Sequence, residues 1–155
     1  MSGPEKADKP STSVLQLNHD NYSLQYPESW LAQAQDNNWV LISDPNNRNA
    51  FILSIRSFKP TEANLDSMAT AAVNSLGMFK NVKLLSKDKF TVSGAKDAVL
   101  LSGTATFQDG GNAIFRTLLV QTTNKIYKVE IIADALEWKY IEPNFNAMIS
   151  SFTLN

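Results

Sequence analysis

A chain of 155 residues has the length of one domain, and folding at this size buries about 68–70% of the unfolded chain's accessible surface in one core. Hydrophobic residues at 43% exclude a wholly disordered protein, and a net charge of −1 without a basic stripe gives nucleic acid or anionic lipid nothing to hold. With no cysteine there are no disulfides, thiolate nucleophiles or Cys-type zinc sites.

Residues 1–13 include Ser2 to Ser13, a stretch with no large apolar side chain and two prolines, which resist helix and sheet alike. They read either as a frayed terminus or as a flexible tether, the spacer that follows an acylated cysteine in a bacterial lipoprotein. Residues 14–155 read as a single domain. No run of 18 apolar residues occurs.

From Val14 short runs rich in β-branched and aromatic residues alternate with turn formers, which predicts strands at Val14 to Leu17, Tyr22 to Tyr26, Leu31 to Gln35, Trp39 to Ser43 and Ala50 to Phe58. Asp36-Asn37-Asn38 and Asp44-Pro45-Asn46-Asn47 supply turns, because Asn and Asp tolerate left-handed backbone. The period then changes. Leu65, Met68, Ala69, Ala72, Val73, Leu76 and Phe79 share one helical face, which predicts an amphipathic helix within Thr61 to Phe79, capped by Thr61 or Asn64 and stopped near Gly77.

Four further strands are predicted near Val82 to Val92, Ala95 to Phe107, Asn112 to Thr122 and Lys125 to Ala133. Ser93-Gly94, Asp109-Gly110-Gly111 and Thr123-Asn124 are hairpin-length links, so these neighbours pair antiparallel. Apolar runs such as Val99-Leu100-Leu101, Leu118-Leu119-Val120 and Ile131-Ile132 require cover on both faces of the sheet. A C-terminal helix supplies part of it, with Ile141, Phe145, Met148, Ile149 and Phe152 on one face and Pro143 in its first turn. The fold class is α+β, an antiparallel sheet flanked by helices.

The chemistry-bearing residues are sparse. His19, the only histidine, falls in Asn18-His19-Asp20-Asn21 and reads as a solvated turn residue rather than a general base. Asp44, Asp66, Asp97, Asp109, Asp134 and Glu137 stand singly, without calcium-loop spacing or an evident pair; Asp134 and Glu137 suit the first turn of a helix. No glycine run cradles phosphate between a strand and a helix. No catalytic, cofactor or metal residues are therefore assigned. Trp30 and Trp39 read as packing residues, whereas Trp138, beside Lys139 and Tyr140, is expected to reach a surface, so Trp138 and Tyr140 are the candidate partner contacts.

Taken together, Tyr22-Ser23-Leu24-Gln25-Tyr26-Pro27-Glu28-Ser29-Trp30 resembles the opening of the PsbP-like superfamily, where a strand with an aromatic runs into Tyr/Phe-Pro and then Gly/Ser-Trp. Val92-Ser93-Gly94 resembles that family's Val-x-Gly turn, Tyr127 its last-strand tyrosine, and Ile149-Ser150-Ser151-Phe152, with Pro143 and Phe145, its closing helix. The resemblance spans roughly Tyr22 to Leu154. It implies an α/β/α sandwich around an antiparallel sheet and a mostly non-enzymatic membership: photosystem assembly proteins, a GTPase-binding nuclear-transport factor, DcrB-type periplasmic or lipid-anchored proteins, and chaperones of secreted effectors.

The expectation is a non-catalytic, extracytoplasmic binding or assembly protein, periplasmic or lipid-anchored through a removed segment, with a protein partner and no cofactor. The alternatives are a cytosolic chaperone holding an apolar helix of a secreted effector on an open sheet face, and an enzyme whose site leaves no sequence signature.

Overall fold

The computed structural model describes residues 11, 13–59 and 64–155. Among them ten strands and two helices form two antiparallel sheets. The first sheet holds β1 (Val14–His19), β2 (Tyr22–Pro27) and β10 (Thr153–Leu154) in the order β1-β2-β10. The second holds β3 (Leu31–Asp36), β4 (Trp39–Ser43), β5 (Phe51–Phe58), β6 (Lys80–Lys89), β7 (Asp97–Thr106), β8 (Asn112–Gln121) and β9 (Ile126–Asp134). Its order is β3-β4-β5-β9-β8-β7-β6, so the predicted meander is present and its last strand closes onto β5.

The division into two sheets departs from the single sheet expected. β2 does not extend the large sheet; it lies over it, pairs with the C-terminal β10, and sends Tyr22 and Leu24 into the core. A two-residue strand carries no period in sequence, so β10 had no signal.

Helix α1 (Leu65–Asn74) is shorter than the predicted span. Asn64 caps it, its Oδ1 accepting from the Ser67 N–H at 2.9 Å. Thr61, the other predicted cap, lies outside the described residues. Beyond Asn74 the Ser75 hydroxyl donates to the Ala72 carbonyl at 2.7 Å and successive tight turns carry the chain through Gly77. Leu76 still packs inward from these turns.

Helix α2 (Trp138–Ser150) begins earlier than expected, which puts Pro143 inside it rather than in its first turn. Proline has no N–H, so the Lys139 carbonyl loses its helical partner there. Asp134 ends β9, its carboxylate accepting from the Leu136 N–H at 3.0 Å, and Glu137 occupies the cap position, so neither sits in the first helical turn as predicted. Phe152 lies past the helix end, between α2 and β10.

The apolar runs require two covers and receive them. Leu65, Ala69 and Ala72 of α1 cluster with Val99, Leu101, Leu119 and Ile126. The alternate residues of the same strands, Leu118, Val120, Val129 and Ile131, belong to a larger core with Ile141, Phe145, Met148 and Ile149 of α2 and with Tyr22 and Leu24. Successive strand residues point to opposite faces, so the two helices lie on opposite sides of the large sheet. Of the predicted tether only Ser11 and Ser13 are described; the Ser11 N–H donates to Asn144 Oδ1 on α2 at 2.7 Å.

The turn Val92-Ser93-Gly94-Ala95 sits in a link longer than the hairpin expected, because β6 ends at Lys89 and β7 starts at Asp97. Ala95 N–H closes the turn on the Val92 carbonyl at 3.1 Å, with Gly94 at φ +85° in the left-handed region. Ser93 then bridges to Thr153 and so holds β10 from its second side.

Candidate functional site

Two places on the molecule gather side chains that a stable core does not demand. The first is the half of the large sheet that α1 leaves bare. On the α1 side, β4 presents Trp39 and Leu41, β5 presents Ile52, Ser54, Arg56 and Phe58, and β9 presents Lys128, Glu130 and Ile132. The α1 cluster ends at Ile126, the first residue of β9, so among the described residues no helix lies above these positions. Ile52 is 60% exposed, Leu31 on β3 44% and Phe58 37%.

Cations lie on the aromatic rings of this half-face. The Arg56 guanidinium stands 4.1 Å from the centroid of Trp39, directly opposite it in the β4–β5 register, and Lys128 Nζ lies 5.7 Å from the Phe58 ring. Below them Glu130, almost fully buried, accepts from the Thr117 hydroxyl at 2.9 Å and has Lys128 Nζ 3.9 Å away. Trp39 Nε1 is buried without a hydrogen-bond partner among the described residues. The result is a shallow surface of exposed aliphatic and aromatic groups with two positive charges held in place by ring faces.

The second place is the turn Asp20-Asn21, whose residues have φ of 45° and 64°. Two left-handed residues make a type I′ hairpin, for which the Asp-Asn pair is suited. The turn carries Asp20 to the large sheet, where its carboxylate accepts from the Ser57 hydroxyl at the end of β5 and pairs with Lys125 at the β8–β9 turn. The Asp20 carbonyl accepts from the Tyr127 hydroxyl at 2.7 Å. His19 is the last residue of β1 and half-buried rather than a solvated turn residue; its Nε2 lies 3.1 Å from the Asp36 carbonyl.

This cluster is a clamp between the two sheets. Lys125 is held above its ordinary range, chiefly by the hydrogen bond it donates to the Asp20 carboxylate. It is a cation at neutral pH, the opposite of what a Ser/Lys nucleophilic pair needs. Tyr22 and Tyr127 are also pushed up, by burial first and then by the Asp20 charge.

All three groups hold their protons more tightly in the fold than in the unfolded chain. Their stabilisation is therefore fully present below the ordinary values of 10.0 for tyrosine and 10.5 for lysine and is lost as pH rises through the folded values. Melting temperature should stay level to about pH 10 and fall beyond it. Tyr22→Phe should soften that fall and leave neutral stability nearly unchanged, because the buried Tyr22 hydroxyl has no hydrogen-bond partner among the described residues. Tyr127→Phe deletes a bond to Asp20 and should cost about 0.5–1.5 kcal/mol at pH 7, and thermal melts of both variants from pH 7 to 11 distinguish the two tyrosines.

Trp138 does not reach the surface as expected. It is 6% exposed, packs toward Phe145, and is covered by Arg116, whose guanidinium is 5.0 Å from its ring and 3.2 Å from Glu142 Oε2. Tyr140 is half-buried with Lys139 Nζ 5.0 Å from its ring. The open half-face was missed because its exposure depends on how far α1 reaches across the sheet. The alternation of Ile52, Ser54, Arg56 and Phe58 was its one legible sign. Among the described residues no group of three or more His, Cys, Asp or Glu is placed to hold a metal ion, and no helix is long and apolar enough to cross a membrane.

Two antiparallel sheets with two helices in this arrangement make an α+β fold of the PsbP-like kind. The chain is similar to the solution structure of cyanobacterial PsbP (CyanoP) from Synechocystis sp. PCC 6803, with a TM-score of 0.67, 16% identity and 94% of each chain covered. It is also similar to LpqN, described as involved in cell envelope biogenesis of Mycobacterium tuberculosis, with a TM-score of 0.61, 14% identity and 92% of this chain and 91% of that one covered. A protein of unknown function from Pseudomonas aeruginosa follows, with a TM-score of 0.58, 16% identity and coverage of 86% and 92%. No family model matches the chain, and no curated protein matches it. At such identities the likeness is one of fold.

Proposed function

We propose that this protein is a non-catalytic binding or assembly factor of the extracytoplasmic PsbP-like type, periplasmic or lipid-anchored, that docks a protein partner on the bare half of its large sheet. The observation that carries this is the face itself: Leu31, Ile52 and Phe58 exposed beside Arg56 and Lys128, whose charges lie on Trp39 and Phe58. A partner with an apolar strip flanked by carboxylates matches it. The proposed architecture is an α/β/α sandwich, which the packing of the two helices on opposite sides of the large sheet supports. The likeness to a cyanobacterial PsbP and to an envelope-biogenesis protein supports a role outside the cytoplasm.

The chaperone alternative needs an open apolar sheet face, which would be left if both helices packed on the same side; α1 and α2 pack on opposite faces, so the half-face is what is left to receive a client helix.

A photo-crosslinker at position 52 in the native bacterium tests the proposal. A discrete adduct lost on Arg56→Glu is expected, together with recovery of the protein in the periplasmic or membrane fraction. Adducts formed equally from Leu136, which is exposed elsewhere, or recovery in the cytosol would overturn it.

A further inference from the structure

The four edges of the two sheets are not equally guarded. β6 carries Lys80, Lys83, Lys87 and Lys89 and two register shifts, and β3 has a shift between Ala34 and Asp36. β10 is two residues long and meets Ser93 on its free side. Bulges, lysines and brevity are the devices by which sheets avoid pairing with other chains. β1 has none of them: Val-Leu-Gln-Leu-Asn-His runs six residues in unbroken register with β2, without lysine, proline or carboxylate, and no described residue pairs with its outer edge.

The direction of its backbone groups follows from the turn. In a two-residue type I′ hairpin the flanking pair His19–Tyr22 is hydrogen-bonded, and pairs then alternate along the ladder. Leu17 and Leu15 therefore bond to β2, and the Glu28 N–H to Ser13 carbonyl bond of 2.9 Å continues the same alternation. Val14, Gln16 and Asn18 turn their N–H and C=O groups outward.

We infer that this edge pairs with a second copy of the same chain, β1 against β1 about a two-fold axis at Gln16. In that register Gln16 faces Gln16 and each Val14 faces Asn18, so every outward backbone group of the three residues meets a partner. The intervening Leu15 then faces Leu17 of the other copy twice, at the close non-hydrogen-bonded positions where side chains touch. Leu15 is 44% exposed, whereas Leu17 already packs against the core on the same side of the sheet, so pairing extends an existing apolar surface. No ionised side chain lies between Val14 and Asn18, so like charges do not oppose the contact. The two three-stranded sheets become one of six, and the two-fold closes the assembly at a dimer.

Sedimentation equilibrium on the full chain tests this. A monomer–dimer equilibrium without larger species is expected, weakened at least about tenfold by Leu15→Lys and by Gln16→Pro, with far-UV circular dichroism confirming that each variant folds. The chain has no cysteine, so Gln16→Cys should oxidise to a disulfide-linked dimer, its Cα atoms facing at about 5.5 Å, while Leu85→Cys on the guarded β6 edge should not. A monomer at concentrations up to about 1 mM, a dimer indifferent to both β1 substitutions, or equal cross-linking from position 85 would overturn the inference.

Discussion

Phe152→Ala is expected to lower the free energy of unfolding by about 3–5 kcal/mol, seen as a fall in the denaturant midpoint with an unchanged slope. Phe152 is among the largest fully enclosed side chains and lies where three elements meet. Its ring stacks on Tyr22 of the small sheet, with centroids 5.1 Å apart and planes at 16°, and meets Tyr127 of the large sheet edge-on at 5.9 Å and 64°. Tyr22 and Tyr127 meet edge-on at 5.5 Å. Truncation empties the centre of this trio, and the rings around it are fixed by strands that cannot collapse into the space. Phe152→Leu should cost distinctly less, and Phe58→Ala, at an exposed ring, should stay within about 0.5 kcal/mol. If Phe152→Ala unfolds at the wild-type midpoint, the trio is not what joins the sheets.

That junction shows how far the sequence reveals the molecule. Strand positions were legible, because Tyr22, Val40, Leu53 or Val129 each belong to runs whose alternation and composition suit a pleated, half-buried surface. The need for cover on two faces was legible in Leu118-Leu119-Val120, since adjacent apolar residues in a strand point in opposite directions. Phe152 could be recognised as a buried residue but not as a keystone. Its partners Tyr22 and Tyr127 are far from it in the chain, and nothing in periodicity reports a contact across that separation.

The same reason hides the Asp20 clamp. Asn18-His19-Asp20-Asn21 was readable as a turn, yet Ser57 and Lys125 meet Asp20 only after two sheets have packed, so nothing in the sequence set that carboxylate apart. Trp138 failed in the opposite way. Lys139 and Tyr140 beside it suggested a surface, but α2 starts before Pro143 and lays Trp138 on β8, where Arg116 covers its ring. The bare half-face was hidden because periodicity gives a helix its apolar face but not the strands it lies over: α1 packs on β7 and β8 and meets β9 only at Ile126.

Gly103→Ala is the other substitution expected to have a large effect, about 1–3 kcal/mol and toward the upper end. A Cβ at this position would lie 2.2 Å from the Lys83 carbonyl oxygen and 2.4 Å from Cζ of Phe115. Gly103 pairs with Leu84 on one side and Phe115 on the other, and β6 shifts register on both sides of that point. The glycine thus lets a twice-bulged edge strand fold close over β7 while the Phe115 ring fills the space a side chain would take. Trimming the ring by Phe115→Leu removes one of the two obstacles. The other is backbone, so the double variant should recover only part of the loss, and the coupling in the cycle measures that part. Hydrogen exchange along Lys80–Lys89 should rise sharply in Gly103→Ala while β8 and β9 keep their protection, because the strand free to move is the outer one. Unchanged protection of β6, with wild-type stability, would mean that β6 does not depend on the close approach at Gly103.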